Sequence, residues 1–153
     1  MAKPDFPALL APGLHNLTLA DIQALAVDPF PSDAQRTGLY QNLMNWVGAL
    51  NAYGVNGTLW MDGSFLTEKP SPSDIDCVLW YPRWSSYANA TAANQQQVKR
   101  LLDKPAAKAL FGLDVYIETP DQVQLVHRQA YWRGFFGFCH DTVTAKGLAE
   151  VGI

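Results

Sequence analysis

Cysteine is scarce in this sequence, and its scarcity argues against two classes of protein. The chain of 153 residues has two cysteines, Cys77 and Cys139, which are too few for the disulfide framework of a small secreted domain. The dipeptide Cys139-His140 has no second pair of residues at zinc-site spacing, so no zinc site is predicted. Cys77 lies in an apolar run and is predicted to be a buried thiol.

The sequence also has no net positive charge and no long apolar segment. A formal net charge of −3 and a sequence pI near 5.4 argue against a broad nucleic-acid-binding surface, but not against a short local groove. The start of the chain lacks the continuous apolar core of a signal peptide, and no window reaches transmembrane length. We therefore expect a soluble cytoplasmic protein with no membrane partner.

Apolar and aromatic residues, in contrast, are plentiful. Hydrophobic residues make up 48% of the sequence, and five Trp, six Tyr and seven Phe offer large surfaces to bury. A chain of this length is typical of one domain with a substantial core, so we predict a single domain over residues 1–153. Pro4, Pro7, Pro12 and Gly13 predict an extended N-terminal arm at about 1–17.

Segment 57–81 has the pattern of strand, tight turn, irregular connection and strand. Gly63-Ser64 lies in the turn, and Asp74 and Asp76 open the second strand. Because side chains alternate along a strand, the two carboxylates point to the same face. They repel each other unless a cation lies between them, and paired hard oxygens suit Mg²⁺. Glycine allows the backbone to approach a phosphate closely, and the serine hydroxyl can bind one.

Gly63-Ser64, nine residues, and then Asp74-Ile75-Asp76 between apolar residues resembles the signature of the polymerase-β-like nucleotidyltransferase superfamily. That signature is an apolar residue and Gly, then Gly or Ser, a short spacer, and Asp-apolar-Asp/Glu-apolar. Asp62 occupies the apolar position before Gly63, which is a departure from the pattern. The segment is most similar to small, stand-alone bacterial and phage members of the superfamily.

The resemblance implies a role for each of these residues. Asp74 and Asp76 would hold one or two Mg²⁺ ions, or Mn²⁺, that bridge the phosphates of a nucleoside triphosphate. Gly63 and Ser64 would cradle those phosphates. In the two-metal arrangement of the superfamily, one ion activates the attacking hydroxyl and the other stabilises the leaving pyrophosphate.

A third strand is predicted at Leu113–Glu118, where apolar and polar residues alternate. The superfamily takes its third carboxylate from a later strand beside the first pair, and Asp114 matches that place best. Glu118, on the same face, is the alternative. Lys69, in the loop between the first two strands, is a candidate for binding a substrate phosphate. On a purely structural interpretation, these carboxylates are the solvent face of strands and Gly63-Ser64 is an ordinary turn.

The order of the predicted elements is helix, strand, strand, helix, strand, helix. It predicts an α/β (α+β) fold, with a small mixed sheet and helices packed on one side of it. The resemblance implies the same architecture, the minimal nucleotidyltransferase core. The tail, 146–153, is short and apolar and is predicted to return as an edge strand. Tyr131, Trp132, Phe135, Phe136 and Phe138 are predicted to belong to the core.

The positions of the helices follow from capping residues and apolar spacing. Thr18 is predicted to cap a helix that ends near Val27. Ser32 or Asp33 is predicted to cap a longer helix whose apolar stripe faces the core. A third helix is predicted in the later part of 88–103, and a last one begins at 119–121 with proline in its first turn. Arg36 and Tyr40 are predicted to lie on the solvated face of the second helix.

Two functions stay open at this point. The first is a Mg²⁺-dependent nucleotidyltransferase that acts on an unidentified acceptor, which could be RNA, protein or a small molecule. The second is a binding module that keeps the fold without turnover, such as a partner in a toxin–antitoxin or phage-defence pair. Small size and the lack of an acceptor domain favour the second. Three retained carboxylates favour the first, because a scaffold gains nothing from clustered negative charge.

Overall fold

A five-stranded mixed sheet lies at the centre of the computed structural model, which describes residues 3–153. Its strands follow one another in the order β1-β5-β2-β3-β4. Strand β2 is antiparallel to β3 and β5, whereas β1–β5 and β3–β4 are parallel pairs. The strands are β1 Gly13–Asn16, β2 Val55–Asp62, β3 Ile75–Trp84, β4 Leu113–Glu118 and β5 Gly147–Gly152.

Five α-helices complete the part of the chain that the structure describes, and the predicted α/β fold class is confirmed. Each has an N-cap side chain that accepts a hydrogen bond from a backbone N–H three residues later, which satisfies one of the free donors of the first turn. Thr18 and Asp33 are caps, as predicted. The helices are α1 Leu19–Ala26, α2 Ala34–Ala52, α3 Ala92–Leu102, α4 Lys104–Phe111 and α5 Gln122–Phe136.

The prediction that Pro120 lies inside the first turn of the last helix is wrong. Asp121 is the cap of α5, and Pro120 precedes it. Among residues 3–153, no helix combines the length and the apolar character that crossing a membrane requires.

Both faces of the sheet are covered by helices, so the prediction of helices on one side is wrong. Helices α1 to α4 pack on one face, which β2 and β3 cover with alternate residues such as Leu59 and Leu79. Helix α5 covers part of the other face. That face requires cover because strand positions of opposite parity carry Trp60 and Trp80, which are large apolar side chains. The rest of that face carries the carboxylates described below.

The aromatic cluster near the end of the chain is only partly in the core. Trp132 and Phe136 are buried, as predicted. The same prediction is wrong for Tyr131, Phe135 and Phe138, which are exposed.

The tail of the chain is an interior strand and not the predicted edge strand. Strand β5 pairs with β2 on one side and with β1 on the other, and Leu148, Ala149 and Val151 are buried. The prediction failed because the arm was expected to be extended without pairing, whereas Gly13–Asn16 forms the edge strand. The first two residues of the predicted arm lie outside the described residues.

The prediction that Arg36 and Tyr40 face solvent is also wrong. Tyr40 is buried, and its hydroxyl donates to the carbonyl of Leu19 over 2.9 Å. Arg36 is completely buried. Since a guanidinium is an expensive group to bury, its hydrogen-bond partners decide whether the fold tolerates it.

The two terminal nitrogens of Arg36 donate to four backbone carbonyl groups, whereas Nε makes no hydrogen bond within the described residues and lies 3.7 Å from Asp33 Oδ2. Nη1 donates to Ala26 (3.1 Å) and Phe65 (2.5 Å), and Nη2 donates to Thr67 (2.9 Å) and Lys69 (2.7 Å). Three of these acceptors belong to the loop that follows β2. Arg36 therefore fixes the loop that carries the predicted phosphate-binding residues to helix α2.

Candidate active site

Three carboxylates lie side by side across three neighbouring strands. Asp62 is the register partner of Asp76 in the antiparallel pair β2–β3, and Asp76 is the partner of Asp114 in the parallel pair β3–β4. Directly opposite residues share a face of the sheet and are close neighbours. Asp74 precedes β3 with the same parity as Asp76. The structure thus brings together the three carboxylates predicted from the sequence, together with Asp62.

A cavity of about 740 Å³ opens over this carboxylate row. The N-terminal arm, the loop after β2, the end of α5 and the loop that follows α5 contribute further residues to its wall. All six residues that the sequence analysis proposed for the site line this cavity: Gly63, Ser64, Lys69, Asp74, Asp76 and Asp114.

Gly63 is at a position that only glycine fits. Its φ of +79° lies in the left-handed region, and a Cβ atom built there would overlap the carboxylate of Asp76. Ser64 then begins a short 3-10 turn, 64–66. The turn therefore presses its backbone against the central carboxylate of the row. Gly63 is therefore in close contact with Asp76, and Ser64 lines the same cavity.

Lysines partner three of the four carboxylates. Lys108 and Lys104, one turn apart on α4, form ion pairs with Asp74 and Asp114, the second at 3.0 Å. Burial opposes the charge of each lysine, yet both pKa values are raised above the ordinary value. Tyr116 and then Asp114 raise the pKa of Lys104, and Asp74 raises the pKa of Lys108.

Asp62 is buried at the end of β2, where Lys146 is its partner. Lys146 Nζ lies 3.0 Å from Asp62 Oδ2, yet neither carboxylate oxygen accepts a hydrogen bond of good geometry within the described residues. Burial raises the pKa of Asp62 to about 7, against the opposing charge of Lys146. An under-coordinated buried carboxylate is costly to the fold, and carboxylates with pKa values perturbed in this way are common at functional sites.

Asp76 is the carboxylate with the least compensation. Burial, followed by the negative charges of Asp74 and Asp114, raises its pKa to about 6. In this cluster, Lys108 and Lys146 supply the opposing charge. The negative charge of Asp76, beside Asp74 and Asp114, is incompletely neutralised. A bound cation would relieve the repulsion among the three carboxylates.

The carboxylate oxygens of the site are donors of the kind that Mg²⁺ takes. Within the described residues, no three Asp, Glu, His or Cys side chains converge into a group that could hold a metal ion alone. Mg²⁺, however, usually takes one or two carboxylates, several waters and substrate phosphates. The donors present are hard oxygens, and Asp62 and Asp76 are short of partners. Lys104 and Lys108 would compete with the cation for Asp114 and Asp74.

Sequence reasoning did not assign Asp62 and the three lysines to the site. Asp62 appeared only as a departure from the superfamily pattern, although its position at the end of an apolar strand was a usable signal. Lys104 and Lys108 are four residues apart, which places them on one face of a helix. Lys146 carried no signal, because its contact depends on the pairing of β5 with β2.

Glu118, the alternative third carboxylate, binds side chains of helix α5. It does not line the cavity. Its Oε1 accepts hydrogen bonds from Arg128 Nε (2.9 Å) and Trp132 Nε1 (2.8 Å), both on α5. The hydrogen bond from Arg128 holds the pKa of Glu118 below its ordinary value, and Trp132 adds to this effect. Glu118 therefore fastens α5 to the sheet.

Replacing Glu118 with Gln is expected to lower the free energy of unfolding at pH 7 by about 1 kcal/mol, discounted for solvent screening. Because the folded-state pKa is depressed, this stabilisation is present above the unfolded value near 4.5 and is lost as the pH falls through the folded value. Urea titrations from pH 7 to pH 3 measure it. A wild-type-to-variant difference that stays constant with pH would contradict the assignment.

Comparison with known proteins places the chain in a family. A model for the family of unknown function DUF6932 matches residues 4–152. The chain belongs to this family. No curated protein and no solved structure matches the chain. The family description names no activity, so a proposal about function has to rest on the site itself.

Proposed function

We propose that this DUF6932 protein is a Mg²⁺-dependent nucleotidyltransferase, with Mn²⁺ as a possible substitute. It would move a nucleotidyl group from a nucleoside triphosphate to an acceptor, which could be RNA, protein or a small molecule. The observation that supports this best is the row Asp62, Asp76 and Asp114 above which the Gly63-Ser64 turn closes. On an ordinary solvent-facing strand, a carboxylate such as Asp62 would not be buried.

The site residues predicted from the sequence have roles in such a reaction. Asp74 and Asp76 are the proposed metal ligands, and the metal, when bound, supplies positive charge to the phosphates. Asp114 is placed beside Asp76 to share the metal or to hold the proton of the attacking hydroxyl. Gly63 and Ser64 offer a backbone without Cβ hindrance and a hydroxyl to the phosphates.

Cations other than a metal are also available to a triphosphate in this cavity. Lys3 and Lys69 line it, and neither forms an ion pair within residues 3–153. Arg36 fixes the backbone of Lys69 by donating to its carbonyl. A rigid backbone with a free ammonium group is suited to hold one substrate phosphate, which supports the role proposed for Lys69.

One observation favours the alternative of a binding module without turnover. Lys108 and Lys104 already balance Asp74 and Asp114 in the protein alone. A chain that had lost metal binding could keep its carboxylates, because the lysines neutralise them. Such a chain could serve as a partner in a toxin–antitoxin or phage-defence pair. The two proposals differ in whether nucleotide and metal bind together.

Calorimetric titration of Mg²⁺ or Mn²⁺ into the protein tests this difference. We expect weak binding of the metal alone. With a non-hydrolysable nucleoside triphosphate present, we expect binding at least about tenfold tighter, beyond the binding measured when the metal is titrated into the nucleotide without protein, because protein and phosphate oxygens together complete the coordination shell. Glu68→Gln, an exposed residue of the same loop outside the cavity, is the matched control and should behave like wild type. Metal binding that does not depend on nucleotide would favour the module.

A further inference from the structure

Phenylalanine rings also contribute to the wall of the cavity. Phe6 of the arm, Phe135 of α5 and Phe138 of the following loop all line the cavity that holds the carboxylate row. The exposed fractions of Phe135 and Phe138 are 59% and 41%. Large apolar side chains left open to solvent inside a charged cavity are costly, and such sites commonly bind apolar groups of a ligand.

The ring of Phe135 packs against three other aromatic rings. Its centroid lies 5.4 Å from that of Phe136 and 5.8 Å from that of Trp132, both of which are buried against the sheet. Tyr131 stacks with it at 6.1 Å. An aromatic platform that is already ordered loses little entropy when a ligand binds to its open face.

The arm is fixed where it lines the cavity. Asp5 Oδ1 accepts a hydrogen bond from the backbone N–H of His140 over 3.0 Å and lies 2.9 Å from its Nδ1. Glu68 N–H donates to the carbonyl of Pro7 over 2.9 Å, on the other side of Phe6. Phe6 is therefore held between two anchored residues.

We infer that the wall formed by Phe6, Phe135 and Phe138 stacks the nucleobase of the substrate, which makes the substrate class a nucleoside triphosphate and not a simpler polyphosphate. This inference rests on the proposed function. The chemistry of the lining residues indicates which ligand the cavity binds. Lys3, Lys69 and the carboxylate row suit a metal-bound polyphosphate, and the phenyl rings suit a flat apolar group on the same molecule. A nucleotide is the ligand that combines both. Stacking on phenyl faces tolerates every base, since each base has a π-face.

Binding of three probes in the presence of Mg²⁺ tests the inference: a non-hydrolysable nucleoside triphosphate, inorganic tripolyphosphate, and the nucleoside alone. Wild type should bind the nucleotide at least about tenfold more tightly than tripolyphosphate, because the stacked base adds to the affinity. Phe135→Ala should weaken the nucleotide by about tenfold and leave tripolyphosphate unchanged. Phe135→Trp should retain tight nucleotide binding.

Val123→Ala is the control, since Val123 is 82% exposed on the same helix but outside the cavity. Phe138→Ala provides a second variant, and thermal midpoints verify that each variant folds. Equal affinities of wild type for nucleotide and tripolyphosphate, or an unchanged nucleotide affinity in both Phe→Ala variants, would overturn the stacking wall alone. Failure of wild type to bind either phosphate probe would overturn the proposed function and the inference with it.

Discussion

Replacing Arg36 with Met is expected to lower the free energy of unfolding by about 3–4 kcal/mol. The change keeps the aliphatic stem but removes four hydrogen bonds to backbone carbonyls, three of them in the loop after β2. Those acceptors would be left without partners in the interior, which costs more than the average hydrogen bond contributes. Urea-induced unfolding at pH 7 gives the difference in free energy.

Arg100→Met is the matched control, because Arg100 is exposed on helix α3 and makes no ion pair within the described residues. It should change the free energy of unfolding by less than about 0.5 kcal/mol. Hydrogen exchange should locate the damage of the Arg36 change in residues 63–69. A loss of under about 1 kcal/mol, or no local increase in exchange there, would show that Arg36 does not hold the loop.

Asp76→Asn is expected to reduce nucleotidyl transfer by more than about a hundredfold while leaving the fold intact. Loss of a residue outside the ligand sphere already costs about ten- to a hundredfold in metal sites, and Asp76 is proposed as a ligand itself. The metal-free variant should unfold at a higher temperature than wild type, since burial and the charges of Asp74 and Asp114 oppose ionisation of Asp76.

Thermal midpoints with and without Mg²⁺ and nucleotide separate the metal role from a structural one. Wild type and Glu68→Gln should be stabilised by the ligands through binding linkage, and Asp76→Asn should not. Equal ligand-induced shifts in all three proteins would remove Asp76 from the set of metal ligands.

Features that depend on neighbouring residues could be predicted from the sequence. The alternation in Leu113–Glu118 gave the bounds of β4, and Thr18 caps α1, as expected. That Gly63, Ser64, Asp74 and Asp76 line one cavity also follows from a short segment. In each case the interacting groups lie within one element or one hairpin-like connection.

Features that depend on distant contacts could not be predicted. In the sequence, nothing distinguishes Arg36 from an exposed helix residue, because three of its hydrogen-bond acceptors lie in the distant loop at 65–69. Strand β5 was predicted to be an edge strand because its parallel partner, β1, lies at the other end of the chain. Asp62 joins the carboxylate row only through the register of β2 with β3. Strand register and burial of a charge are set by the whole fold, so no local pattern encodes them.

Transfer of a labelled nucleotide tests the central claim most directly. The protein is incubated with Mg²⁺, an acceptor pool of RNA, proteins and small molecules, and each nucleoside triphosphate labelled at the α-phosphate or at the γ-phosphate. We predict that the α-label becomes attached to an acceptor, that the γ-label leaves as pyrophosphate, and that Asp76→Asn shows neither event. Attachment of the γ-label, or no attachment of any label in wild type with all four nucleotides, would contradict nucleotidyl transfer.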